Sequence, residues 1–128
     1  MLKGIKIFDI KSFVRVDEYG ELRRERIYEI IREIGKLALC FPEKNIMLDF
    51  RETRLKEDLD VTDAMKFAIE ASYFGDILIN KIACLVPGDR KRLSQAEKMR
   101  VALHIKGINY NYFDNFEHAI EWLSNKDS

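Results

Sequence analysis

The sequence predicts a layered α/β domain: a mostly parallel, mixed β-sheet of about five strands with about four helices, in the order β-β-α-β-α-β-α-β-α. Two observations predict it. Lys81 to Leu123 alternates the apolar run Ile82-Ala83-Cys84-Leu85-Val86, a helical pattern, the segment Ile108 to Phe113 and a second helical pattern closing in Glu121-Trp122-Leu123. The chain opens, by contrast, on short period-two segments, which suit a hairpin rather than a crossover.

The elements follow in order. Ile5 and Ile7 within Lys3 to Asp9, and Val14 and Val16 within Phe13 to Asp17, predict two short strands, and Tyr19-Gly20-Glu21 reads as the turn after them. Ile27, Ile30, Ile31, Ile34 and Leu37 then recur at helical spacing opposite Arg23, Arg24, Arg26, Glu29, Arg32 and Glu33, a helix packed on a sheet that Pro42 stops. Asn45 to Phe50 reads as a buried strand and Arg51 to Asp60 as a polar loop. Asp60 is placed to cap a second helix, with Ala64, Phe67, Ala68, Ala71 and Phe74 as its buried stripe and Gly75 at its end. After the strand Lys81 to Val86, the loop Pro87 to Arg92 leads to Ser94-Gln95-Ala96-Glu97, a capping-box sequence at the start of a third helix that Gly107 closes. The last strand, Ile108 to Phe113, meets Asp114 as the cap of a fourth helix with Phe116, Ala119, Ile120 and Leu123 turned inward. Crossovers from the second strand to the fifth give parallel pairs, and only the first strand is free to run antiparallel.

Composition bounds the function. A chain of 128 residues suits one domain, expected over 1–124 with a frayed tail at 125–128. Lys+Arg 22 against Asp+Glu 22 leaves no net positive field to recruit nucleic acid. Cys40 and Cys84 share no C-x-x-C spacing and read as buried, reduced thiols. The start, Met1 to Lys6, lacks a secretory core, and no apolar run is long enough to span a bilayer, so a cytoplasmic location is expected.

The order of elements, with Val14-Arg15-Val16-Asp17-Glu18-Tyr19-Gly20 before the first helix, Leu48-Asp49-Phe50-Arg51 closing the central strand and Phe113-Asp114-Asn115-Phe116-Glu117-His118-Ala119-Ile120-Glu121-Trp122-Leu123 at the end, resembles the STAS domain of sulphate transporters and anti-sigma-factor antagonists, above all its stand-alone SpoIIAA-like members. The resemblance spans about the whole chain and implies the SpoIIAA-like layered fold. In the antagonists it implies a phosphorylated serine in an Asp-Ser-Ser sequence at the start of the helix after the central strand. The matching place here is Asp60-Val61-Thr62-Asp63, where Thr62 alone carries a hydroxyl and Asp63 would repel a phosphate. For the short relatives the resemblance implies a small or lipidic ligand, or contact with a membrane surface.

Parallel strands bring the loops Arg51 to Asp60, Pro87 to Leu93 and Asp114 to Asn115 to one edge of the sheet. Arg51, Arg54, Arg90, Lys91 and Arg92 would then lie near two helix N-termini and suit an anionic head group; the other reading is a solvated loop balanced by Glu52, Glu57, Asp58 and Asp89. Ile77, Leu78 and Ile79 are either buried or an exposed patch for a dimer, lid or membrane, and with Phe67, Tyr73 and Phe74 they could wall an apolar groove.

No enzyme signature stands out. His104 and His118 belong to no metal-ligand spacing, G-x-S-x-G and phosphate-loop motifs are absent, and Asp49, the best acid-base candidate, is better placed to pair with Arg51 or Arg54. Tyr110 and Tyr112 read as buried sheet tyrosines rather than a base-stacking surface. The expectation is a non-enzymatic module without a cofactor, binding an anionic or lipidic small molecule, or alternatively a regulatory module whose second helix, around Thr62, Lys66 and Tyr73, meets a protein. Homodimerisation through an open sheet edge and peripheral membrane contact are further expectations.

Overall fold

In the computed structural model, which describes residues 5–10 as backbone and residues 13–125 in full, the period-two runs and apolar runs form one five-stranded sheet in sequence order. Its strands are β1 (Ile5–Ile10), β2 (Phe13–Leu22), β3 (Asn45–Leu55), β4 (Ile82–Leu85) and β5 (Tyr110–Phe113). The helices are α1 (Arg24–Cys40), α2 (Val61–Ser72), α3 (Arg90–Ile105) and α4 (Phe116–Ser124). β1 is antiparallel to β2, and β2 to β5 run parallel, as the crossovers predict. Of the expected tail only Asn125 is described, and Lys3 and Gly4, where the expected first strand begins, also lie outside the described residues.

Alternation along the strands sorts side chains into two cores. Val14, Val16, Ile46, Leu48, Ile82, Cys84 and Tyr110 pack with α1, α2 and α3, whereas Phe13, Met47, Ala83 and Leu85 pack with Ala119 and Leu123 of α4. Helices therefore cover both faces, which is what lets β4 be apolar at every position. The predicted stripes of α1 and α2 face inward, and Gly35 on α1 makes room for the ring of Phe74, just past the end of α2. A Cβ there would sit 2.5 Å from the Phe74 ring.

Several local expectations give way to longer-range pairing. Tyr19-Gly20-Glu21 is strand, not turn, and residues 51–55 of the expected loop are strand as well, because Tyr19 to Leu22 pair with Glu52 to Leu55 beyond the end of β4. Gly20 permits this with φ +88°. α3 begins at Arg90 rather than at Ser94, since Asp89 accepts from the Arg92 amide at 2.9 Å and caps it one turn earlier. Asn115, not Asp114, caps α4, and β5 starts at Tyr110 rather than Ile108. Cys40 is exposed at the end of α1, so only Cys84 is a buried thiol. Asp60 does cap α2, in a reciprocal box with Asp63, and Gly107 takes the expected left-handed cap with φ +79°.

Candidate functional site

One extra residue on β3 determines what faces the inner core. β2 and β3 are in register at Asp17 and Asp49 and again at Tyr19 and Glu52, so Phe50 and Arg51 together oppose Glu18. Strict alternation would have carried Glu52 and Arg54 inward after Leu48 and Phe50. The bulge turns Thr53 and Leu55 inward instead, and leaves Arg51 beside Asp49 on the α4 side.

Thr53 meets Arg92 from the first turn of α3. The Arg92 guanidinium donates from Nη1 to the Thr53 carbonyl and from Nη2 to Thr53 Oγ1, both at 2.8 Å, and Thr53 Oγ1 itself donates to the Phe50 carbonyl at 2.6 Å. Arg92 is only 8% exposed. Among the described residues it has no carboxylate at ion-pair distance, and burial pulls its pKa below the usual arginine value. A buried cation without an ion-pair partner is costly to hold in an apolar core.

Arg92 lies on the wall of a cavity of about 140 Å³ between the inner sheet face and α1, α2 and α3. Leu48, Ile82 and Cys84 form its floor, Ile30, Ile31 and Phe67 part of its sides, and Arg92, Gln95, Ala96, Met99 and Leu103 its α3 wall. Alanines at 64, 71 and 96 leave this space open where larger apolar residues would fill it. Burial pushes the Cys84 thiol up to about 12 and the Tyr110 hydroxyl well above its ordinary value, so both are neutral at physiological pH. Among the described residues, Arg92 is the one charged residue in the lining.

The other basic candidates do not join it. Arg51 donates to Asp49 through Nε at 3.0 Å and Nη2 at 2.8 Å, and Arg15 reaches the same carboxylate at 3.0 Å. Burial pushes the Asp49 carboxyl up, but these arginines outweigh it and hold the pKa below its ordinary value. Lys91 pairs with Asp58 at 2.6 Å on the surface, while Arg54 and Arg90 are exposed and line no part of the cavity. Thr62 is exposed in the first turn of α2. Its neighbour Asp63 is engaged by Arg24 at 2.9 Å, an interaction that ties the start of α1 to the start of α2.

The apolar candidates divide. Phe67 and Leu78 line the cavity, Ile77 and Phe74 pack partly buried against the same core, and Tyr73 and Ile79 point outward, 75% and 69% exposed. Tyr73 shares a shallow depression between α1 and α2 with Tyr28, Arg32, Lys66, Ile69 and Glu70. The histidines have ordinary roles: His104 Nε2 is 2.9 Å from the Tyr110 carbonyl, and the His118 amide meets the Asn115 cap. The tyrosines on β5 are placed as expected, Tyr110 buried and Tyr112 partly buried with its hydroxyl 3.1 Å from Glu97. Among the described residues no group of acidic, histidine or cysteine side chains could hold a metal ion, and no helix is long and apolar enough to cross a membrane.

Sequence reasoning missed Thr53, Gln95, Ala96 and Met99. A signal was present: positions 92, 96, 99 and 103 repeat at helical spacing, and Ala96, Met99 and Leu103 are apolar, so Arg92 sits on an apolar stripe.

No family model and no curated protein matches the chain. Solved structures do, among them two that span nearly the whole of both chains. One is an uncharacterized protein from the DUF3478 family with a SpoIIAA-like fold, from Shewanella loihica PV-4; it is 22% identical, with 96% of each chain covered and a TM-score of 0.57. The other is the anti-sigma factor antagonist SpoIIAA in its unphosphorylated form, 13% identical, with 93% of this chain and 96% of that chain covered and a TM-score of 0.52. The chain therefore has the STAS/SpoIIAA-like fold that its order of elements resembles.

Proposed function

We propose that the chain is a non-enzymatic SpoIIAA-like module that takes a small anionic molecule with an apolar body into the cavity beneath α1, α2 and α3. The observation that carries this reading is the placement of Arg92, buried and, among the described residues, without a carboxylate at ion-pair distance and on an otherwise uncharged wall. An anion arriving there supplies the missing counter-charge, and the apolar lining accepts the rest of the molecule. The basic loops that suggested an anion site in the sequence contribute one residue to it, not five. Intact mass of freshly purified protein, recorded under native and then denaturing conditions, tests the reading. A non-covalent adduct lost on denaturation is expected. A bare chain that also takes up no added small organic molecule contradicts it.

A second reading, a regulatory module that meets a protein, rests on the outer face of α2. Val61, Ile69 and the C-cap Tyr73 are exposed large apolar residues there, spaced by eight and four positions, beside Thr62 and Lys66. The resemblance to an anti-sigma factor antagonist supports it at the level of the fold. Co-purification with wild type and with a Thr62→Asp variant is expected to yield different partner sets; identical sets rule out a switch at Thr62.

A further inference from the structure

Resting on that reading of the cavity, we infer that its occupant is a small monocarboxylate with an apolar body of about five or six carbon atoms, its carboxylate on the Arg92 guanidinium and its body against Leu48, Ile82, Ala96 and Met99. Three properties of the site define this class: its volume, its charge and the geometry of its donors.

The volume sets the size. The cavity is about 140 Å³, and an apolar cavity of about 150 Å³ accepts a benzene molecule. A six-carbon body matches that space, and a long acyl chain exceeds it several-fold. The charge sets the valence. One guanidinium balances one negative charge; a phosphate monoester brings up to two and would leave the excess buried without a partner. Cys84 and Tyr110, the other titratable groups on the wall, are neutral and add no second cation.

The donor geometry favours a carboxylate. A guanidinium has five N–H groups. Among the described residues two of them are used, on the Thr53 carbonyl and hydroxyl. These two bonds fix the plane of the fork from the strand side and leave the remaining donors for a planar, two-oxygen acceptor. Thr53 is thus a positioning residue, turned toward Arg92 by the bulge in β3.

Calorimetric titration of the wild-type chain with hexanoate, benzoate, hexan-1-ol, benzyl alcohol, hexyl phosphate and hexadecanoate tests the class. Each short acid is expected to bind at least about tenfold tighter than its matched alcohol, as a charge-assisted pair requires. Hexyl phosphate and hexadecanoate are expected to bind more weakly than hexanoate. Arg92→Gln is expected to erase the acid preference while alcohols still bind, and Ala96→Phe to block every probe. Should Arg92→Gln fail to fold, Arg92→Lys, which keeps the charge without the fork, is expected to reduce the preference. Equal affinity for acid and alcohol, or tightest binding of hexadecanoate or hexyl phosphate, overturns the inference. Tightest binding of hexyl phosphate overturns this inference but leaves the anion-binding reading; uptake of alcohols alone, or of no probe, overturns both.

Discussion

At the end of β3 two arginines lie on opposite faces of the same sheet and meet opposite surroundings. On the α4 face Arg51 is matched by Asp49, which Arg15 also reaches, so the charge is balanced within the fold. On the inner face Arg92, among the described residues, hydrogen-bonds to Thr53 and has no carboxylate at ion-pair distance, and it borders an apolar cavity. The difference teaches that the number of basic residues near a sheet edge says little about a binding site. What matters is whether the fold has already neutralised them, and here one face is electrostatically complete and the other is not.

The comparison can be broken most forcefully at Asp49. Asp49→Ala strands two arginines and is expected to cost about 2 kcal/mol in urea denaturation, below the ~3–5 kcal/mol of a fully buried pair because Arg51 keeps 38% of its side chain exposed. Arg92→Met, which removes an unpaired buried charge along with its bonds to Thr53, is expected to cost less, about 1 kcal/mol. A larger loss at Arg92 than at Asp49 would make Arg92 a structural brace and reverse the comparison.

A smaller effect sharpens the role of the bulge. Gly20 pairs with Thr53 and holds φ +88°, with open space where a side chain would go. Gly20→Ala therefore costs only backbone strain, about 1–2 kcal/mol, and is expected to loosen Thr53 and weaken ligand uptake. Unchanged melting temperature and affinity would show that the strand extension does not depend on this conformation.

The smallest effect is a pH dependence shared by groups at the surface. The hydrogen bond from Arg24 holds Asp63 down to about 2, and that from Arg100 holds Glu97 down to about 2. Both folded-state values lie below the ordinary 3.8 and 4.5. Each pair thus stabilises the fold above the ordinary value, and that contribution is lost as pH falls toward about 2. Melting temperature is expected to decline across this acidic window and to decline less in high salt, which screens exposed charges. A flat profile would show that neither pair contributes measurably.

Much of the fold was legible in the sequence, because apolar periodicity and caps such as Asp60 and Gly107 are local signals that tertiary packing here reinforces. Residues 19–22 and 51–55 were not, since Gly20 and the charges around it imitate a turn and a loop, and only their pairing with each other makes them strands. The site was half legible. Its charge marks Arg92 in the sequence but groups it with neighbours that point elsewhere, because Asp89 starts α3 one turn earlier than the Ser94 capping sequence suggests. That shift changes Arg92 from a loop residue into part of a helix face.

The most direct measurement uses two methionines as reporters, Met99 on the cavity wall and Met47 fully buried on the α4 face. Methyl NMR spectra of methionine-labelled protein titrated with hexanoate should show the Met99 signal shift to saturation while Met47 stays in place. A titration in which Met99 is unmoved, or in which only Met47 responds, would contradict a ligand site on the inner face of the sheet.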